Sequence, residues 1–225
     1  MIHIQNGTYK VSPDKTILNA LNLEIKSGEI ATILGPNGSG KSTLLKIITD
    51  EIQLTSGKMI RNFHPKDVRI VLQDFKQSTF ENLSILENLQ IAAYAQRQSL
   101  IKNPQIDIEY WIEKVNIDIK EKIHLPLFHL SGGQKQIISL IMAMLTRPKI
   151  LILDEHTSAL DPVMCDHLMQ LTHSLCKKEN ITALIVTHNL DHALCYSDQI
   201  LFLKNGNFIH DKKNISTLEE IKKLY

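Results

Sequence analysis

One stretch constrains the fold of this chain more than any other: Gly35-Pro36-Asn37-Gly38-Ser39-Gly40-Lys41-Ser42-Thr43. Residues 29–34 ahead of it read Glu-Ile-Ala-Thr-Ile-Leu, an apolar, partly β-branched run expected of a buried strand. Residues 42–49 behind it carry apolar side chains at helical spacing. A glycine loop between a strand and a helix is a P-loop in the context that distinguishes it from a chance match. Its backbone N–H groups can turn inward around phosphate oxygens, and the helix N-terminus adds partial positive charge there. Lys41 is placed to reach β- and γ-phosphates, and the Ser42 hydroxyl to join a Mg²⁺ shell.

A second glycine-rich turn, Leu130-Ser131-Gly132-Gly133-Gln134, precedes a run (134–145) that reads as a helix ending before Pro148. Downstream, Lys149-Ile150-Leu151-Ile152-Leu153-Asp154-Glu155 places two acids after four apolar residues, as at the carboxyl edge of a central parallel strand. Asp154 is the candidate to hold Mg²⁺, directly or through water, and Glu155 the candidate general base for water. A third strand-like run, 181–186, ends in Thr187-His188. His188 could donate to a γ-phosphate, although a histidine at a strand end is by itself more often structural. Gln73 follows the apolar run 68–72; its amide could meet Mg²⁺ or the attacking water, or cap the strand.

The order of these pieces resembles the ATP-binding subunit of ABC transporters. The resemblance runs from the P-loop through Gln73, the Leu130–Gln134 signature, Asp154-Glu155 and Ser158-Ala159-Leu160-Asp161 to His188, roughly residues 2–210. It implies an α/β fold: a P-loop NTPase, RecA-like core with a mixed parallel sheet and an antiparallel β subdomain (1–75 and 131–225), and a small helical subdomain (76–130), all one domain. It implies ATP as ligand, Mg²⁺ as cofactor, ATP hydrolysis, and two copies closing head to tail around two ATP molecules. In that arrangement Ser131 and Gly133 of one copy bind the γ-phosphate held by the other copy's P-loop, with Gly132 and Gln134 beside them in the nucleotide-binding signature, and Asp161 sits at the seam. It further implies integral-membrane permease subunits as partners, docked near Gln73 and the helical subdomain, and a cytoplasmic, membrane-peripheral location.

Several positions depart from the family's pattern. Its adenine-stacking aromatic falls, by register from Asn6, at Val11, with Tyr9 two residues earlier on the same strand face. Tyr9 is therefore the candidate stacker. His156 stands where proline is common, and Ile137 where an arginine often follows the signature. Together with Gln73-Asp74, Glu87-Asn88-Leu89, Ser139-Leu140-Ile141-Met142-Ala143 and Asp154-Glu155-His156-Thr157, these resemble a bacterial subgroup. Its members accompany binding-protein-dependent importers of small solutes, aromatic amino acids among them, which adds a substrate-binding protein to the expected partners. The stretch Leu125-Pro126-Leu127-Phe128-His129 lacks the charges common there in exporters.

Composition narrows the alternatives. Net charge is +1, with no basic tail and no basic–aromatic stripe, so nothing calls for nucleic acid. The longest apolar stretch, 137–145, is far below the ~20 residues that span a bilayer, so a membrane role is expected through a partner. Cys165, Cys176 and Cys195 form no C-x-x-C pair and are expected as reduced thiols. His173 with Cys176, and Cys165 with His167, are possible chelating pairs that lack a fourth ligand.

Two or three antiparallel strands are expected within residues 2–30, turning at 12–15 and 26–28. Ser84 is a candidate cap for a helix, and 110–115 for a second after Asn103-Pro104. Pro162 should open a helix through about 178. Asn205-Gly206 should join strands 199–204 and 207–210 as a hairpin, and 215–225 should close the chain as a helix. The rival functional reading is a nontransport ATPase of the same family acting in translation or DNA repair, whose usual second ATPase unit or long coiled coil does not fit in 225 residues. A nucleotide-sensing module without hydrolysis is a further alternative, against which Glu155 and His188 stand.

Overall fold

The computed structural model describes residues 1–94, 104–115, 119–158 and 160–212, with backbone only for 104–107 and 210–212. β1 (Ile2–Ser12), β2 (Lys15–Ile25) and β4 (Ser56–Arg61) form an antiparallel sheet in the order β2-β1-β4. β3 (Ile30–Leu34), β5 (Val68–Leu72), β6 (Ile150–Asp154), β7 (Thr182–Val186), β8 (Gln199–Lys204) and β9 (Asn207–Lys212) form a second, in the order β5-β6-β7-β3-β8-β9. Its first five strands are parallel and β9 closes it antiparallel. The helices are α1 (Lys41–Ile48), α2 (Ile85–Tyr94), α3 (Pro104–Val115), α4 (Ile119–Lys122), α5 (Gly132–Leu145), α6 (Pro162–Lys178) and α7 (Leu190–Tyr196). This is an α/β fold with a mixed sheet.

The strands of the larger sheet read as continuous apolar runs because both of its faces are covered. In β6, Leu151 and Leu153 enter one core with Ile137, Leu140 and Ile141 of α5, while Ile150 and Ile152 enter another with Leu44 and Ile48 of α1. The antiparallel sheet adds Ile2, Ile4, Leu23 and Ile25 to that second core. Every residue from 137 to 145 is buried, which accounts for the apolar stretch in α5 as a helix enclosed on all sides. Among the described residues no helix is long and apolar enough to cross a membrane.

Local signals placed most boundaries. Ser84 caps α2 in a capping box, its hydroxyl accepting from Glu87 N at 3.2 Å while the Glu87 carboxylate accepts from Ser84 N at 2.7 Å. Asp161 caps α6, accepting from Met164 N at 3.0 Å, with Pro162 as the first helical residue. Two expectations are corrected. The third antiparallel strand is β4, brought back beside β1 after α1, because the chain leaving Gly28 enters the other sheet as β3. The second helix of the 76–130 region begins at Pro104, where proline suits the first turn, six residues before the expected start. The expected closing helix at 215–225, and Ala159, lie outside the described residues. Cys176 is packed in the core, where burial pushes its thiol up to about 12, and among the described residues no three His, Cys, Asp or Glu side chains are grouped to hold a metal ion.

Candidate functional site

Register brings the candidate groups to one edge. Leu72 pairs with Asp154, Asp154 with Val186, and Val186 with Ile33. The next residues along, Gln73, Glu155, Thr187 and Leu34 leading into Gly35, therefore leave the sheet side by side at its carboxyl end, where parallel sheets bind ligands.

The Gly35–Thr43 loop is shaped by close packing. A Cβ on Gly35 would stand 2.0 Å from the Leu203 carbonyl oxygen, and its φ is +150°, so no other residue fits without moving β8. The turn between β8 and β9 braces the loop from the other side, Gly206 N donating to Ser39 O at 3.0 Å while Gly206 O accepts from Asn19 N at 2.8 Å. Gly206 reads in the sequence as a hairpin turn and nothing more; its second task depends on a contact with no local signature. Gly40 opens α1 in the left-handed region with no side-chain cap, so the first amides of α1 have no capping side chain among the described residues. Lys41 is buried and folds back, its Nζ donating to Gly35 O at 2.6 Å and Pro36 O at 2.9 Å. Desolvation lowers the Lys41 pKa, while Glu155 and Asp154 oppose that shift.

Asp154 is half-buried and its pKa is raised, first by desolvation and then by Glu155, with Lys41 acting against both. Two neighbouring carboxylates facing one partly buried ammonium leave negative charge that a divalent cation would offset. Mg²⁺ typically takes one or two carboxylates and completes its shell with phosphate oxygens and water, so this donor set with the exposed Ser42 hydroxyl fits it without a preformed cage. Glu155 adopts φ +47°, uncommon for a residue with a side chain, and its N donates to Val186 O at 2.9 Å. That turn delivers its carboxylate to 2.6 Å from His188 Nε2. His188 is held between the end of β7 and α7: Thr187 Oγ1 accepts from Asn189 N at 3.0 Å, and Asn189 caps α7 by accepting from His192 N at 3.0 Å. A cavity of about 510 Å³ opens beside the pair, lined by Glu155, Thr157, Ser158, Cys165, His188 and Asn189 among others. Next to Glu155 in the chain, His156 is buried with neither ring nitrogen bonded among the described residues, and desolvation lowers its pKa to about 3, so the ring is neutral.

Other expected site residues lie apart. Ser131 and Gln134 form a reciprocal capping box on α5: Ser131 Oγ accepts from Gln134 N at 3.3 Å and Gln134 Oε1 from Ser131 N at 3.1 Å. Gly133 packs on α6, where a Cβ would meet Met164 Cγ at 2.3 Å, while Gly132 is exposed. No hydrogen bond or ion pair joins Ser131–Gln134 or Asp161 to the Gly35–Thr43 loop among the described residues. Gln73 is exposed beside the acidic edge. Tyr9 pairs across the sheet with Leu18, the side chain packed against Gly40, whereas Val11 is 63% exposed.

The comparisons agree on kinship. A family model described as "ABC transporter" matches residues 18–158. The tyrosine transport ATP-binding protein of Clostridioides difficile is 37% identical over 92% of this chain and 89% of its own length. The spermidine/putrescine import ATP-binding protein PotA of Pasteurella multocida is 33% identical over 94% of this chain, which spans 58% of that protein. Among solved structures, the dimeric post-hydrolysis state of the ATP-binding cassette MJ0796 with ADP and Pi superposes with a TM-score of 0.76 at 27% identity, covering 94% of this chain and 98% of that one.

Proposed function

This chain belongs to the ABC transporter family, and from that premise we propose that it is the ATP-binding and hydrolysing subunit that energises a small-solute importer. Two copies close head to tail around two ATP molecules, and hydrolysis lets them part. The observation that carries this reading is Glu155, held by a left-handed turn 2.6 Å from His188 at the edge where the Lys41 loop and Asp154 converge.

Gly35 to Thr43 wrap the triphosphate, and Lys41 exchanges the Gly35 and Pro36 carbonyls for phosphate oxygens. Ser42, Asp154 and Gln73 would hold Mg²⁺, which would neutralise negative charge on the phosphates. Glu155 accepts a proton from the attacking water. The water oxygen bonds to the γ-phosphorus as the bond from that phosphorus to the β–γ bridging oxygen breaks. The bridging oxygen leaves on ADP, phosphate is released, and the His188 N–H is re-aimed from Glu155 to the γ-phosphate. Tyr9 is the group offered to adenine, supported by its cross-strand partner Leu18 packing on the end of the loop. Ser131, Gly132, Gly133 and Gln134 complete the partner copy's site, with Asp161 at the seam; the exposure of Ser131 and Gly132 supports this.

The permease subunits dock near Gln73 and on residues 76–130, which act as the helical subdomain, leaving this chain peripheral on the cytoplasmic face of the membrane. Exposed apolar side chains there, Phe80, Ile91, Tyr94 and Phe128, support that reading. The cargo class is aromatic amino acids, delivered by a substrate-binding protein; the relative named for tyrosine transport supports it.

The decisive variant is Glu155→Gln. It should bind MgATP as tightly as the wild type in calorimetry, lose turnover by ~10³-fold and accumulate as an ATP-bound dimer in size-exclusion chromatography. Steady-state phosphate release at the wild-type rate would falsify the general-base assignment.

A further inference from the structure

Among the described residues β5 is the edge strand of the parallel sheet, and the backbone groups on its outer side have no neighbouring strand there to meet them. At its last residue a side chain takes that place: Gln136 Nε2 of α5 donates to Leu72 O at 2.8 Å. Gln136 is 2% exposed inside a helix whose other buried side chains are mostly apolar. The carbonyl can only accept, so the amide is oriented without ambiguity. The residue that follows is Gln73.

Two more side chains of α5 hold the same segment. Ser139, 3% exposed, shares a hydrogen bond of 3.1 Å with Ser78. Lys135 Nζ donates to Glu81 Oε1 at 2.8 Å and lies 5.3 Å from the centre of the Phe75 ring. That hydrogen bond is the largest cause of the lowered Glu81 pKa. On the near side of the signature, Phe128 N donates to Glu81 O at 3.0 Å. Residues 72–81 are thus fastened on both sides of Ser131, to a helix whose first residue follows that serine. A helix moves as a rod, so a displacement of Ser131 is transmitted to Leu72, Ser78 and Glu81 together.

We propose that Lys135, Gln136 and Ser139 are positioning residues that lock the Gln73-bearing segment to the helix opened by Ser131. This rests on the reading above, in which Gln73 serves this copy's nucleotide and Ser131 its partner's. Under it, the settings of the two residues change together, and the two nucleotide sites are linked through each chain by α5.

The test uses the full chain, with MgATP affinity read by calorimetry and phosphate release followed across ATP concentration. Gln136→Met keeps length and volume but removes the donor. It should leave the Kd for MgATP within ~2-fold, lower kcat by ~10-fold, the scale of an outer positioning group, and flatten a sigmoidal ATP dependence towards a hyperbola. Lys135→Glu and Glu81→Lys should each show the same split more weakly. The double exchange should recover kcat and sigmoidicity, which a merely loosened fold would not do. If Gln136→Met fails to fold, the charge exchange decides alone. A hyperbolic ATP dependence in the wild type, unchanged sigmoidicity in the variants that fold, or a double exchange no better than its singles overturns the linkage and leaves the ATPase reading standing. A wild-type chain that binds no MgATP overturns both.

Discussion

Two helices of this molecule open at glycine-rich turns, and they open differently. α1 begins at Gly40 with no side-chain cap, and its neighbouring ammonium, Lys41, rests on the carbonyls of its own loop. α5 begins at Ser131 with a complete capping box, in which Ser131 and Gln134 satisfy each other's backbone. The first turn is left short of partners that a phosphate chain would supply. The second is self-sufficient, so whatever Ser131 gives to a ligand it must partly withdraw from its cap. On the reading proposed above, one helix end would serve a ligand of its own chain, and the other one that arrives from outside.

The largest effect that could break this contrast is at Lys41. Lys41→Ala should weaken MgATP binding by ~100-fold or more, since each hydrogen bond between charged groups contributes about 1.5–3 kcal/mol. Ser131→Ala, titrated as a single copy, should bind as the wild type does. Equal losses in calorimetry would erase the distinction between the two turns.

Acid offers a second handle, through the histidine that follows the acidic pair. His156 follows the acidic pair, is buried, and has its pKa lowered to about 3 from 6.5. A depressed histidine pKa means the unfolded chain takes up a proton that the folded chain refuses. The stability it contributes is complete above the unfolded value and is lost as pH falls below 6.5. Between pH 6.5 and 5 this one group should cost about 2 kcal/mol, from roughly 1.4 kcal/mol per pH unit. Urea midpoints measured at the two pH values check it, and His156→Gln should flatten the dependence. An equally steep loss in that variant would place the acid sensitivity elsewhere.

The smallest effect sharpens the comparison most. Ser131→Ala should lower stability by about 1 kcal/mol, the scale of a lost N-cap, along with turnover in the paired state. Ser131→Asp keeps a capping oxygen but sets a negative charge against phosphate. Thermal melts should then recover while phosphate release does not. Recovery of both would mean that the serine serves its helix and no ligand.

Much of this was legible from short-range chemistry. The P-loop strand and helix, the Ser84 and Asp161 caps and the Asn205-Gly206 hairpin each depend on residues within a few positions of one another, and each appears where the sequence places it. β4 was missed because Ser-Gly-Lys-Met-Ile-Arg has no alternating pattern and is a strand by virtue of β1 beside it. α7 was missed because seven residues after His188 carry too little periodicity to announce a helix. Gln136 carried no signal in the sequence, because only the packed sheet shows that its amide serves the carbonyl of Leu72.

By itself, then, the sequence determined the inventory: a phosphate-shaped loop, two acids on a strand, a glycine-rich second turn ahead of a helix, and the apolar runs of the strands that carry them. The tertiary structure alone decided the appositions, that Glu155 meets His188, that Gly206 braces Ser39, and that the edge of β5 is finished by α5. The physical reason is range. Caps and turns are settled by neighbours along the chain, whereas strand order and register arise from burying both faces of a sheet at once, a condition no single segment carries.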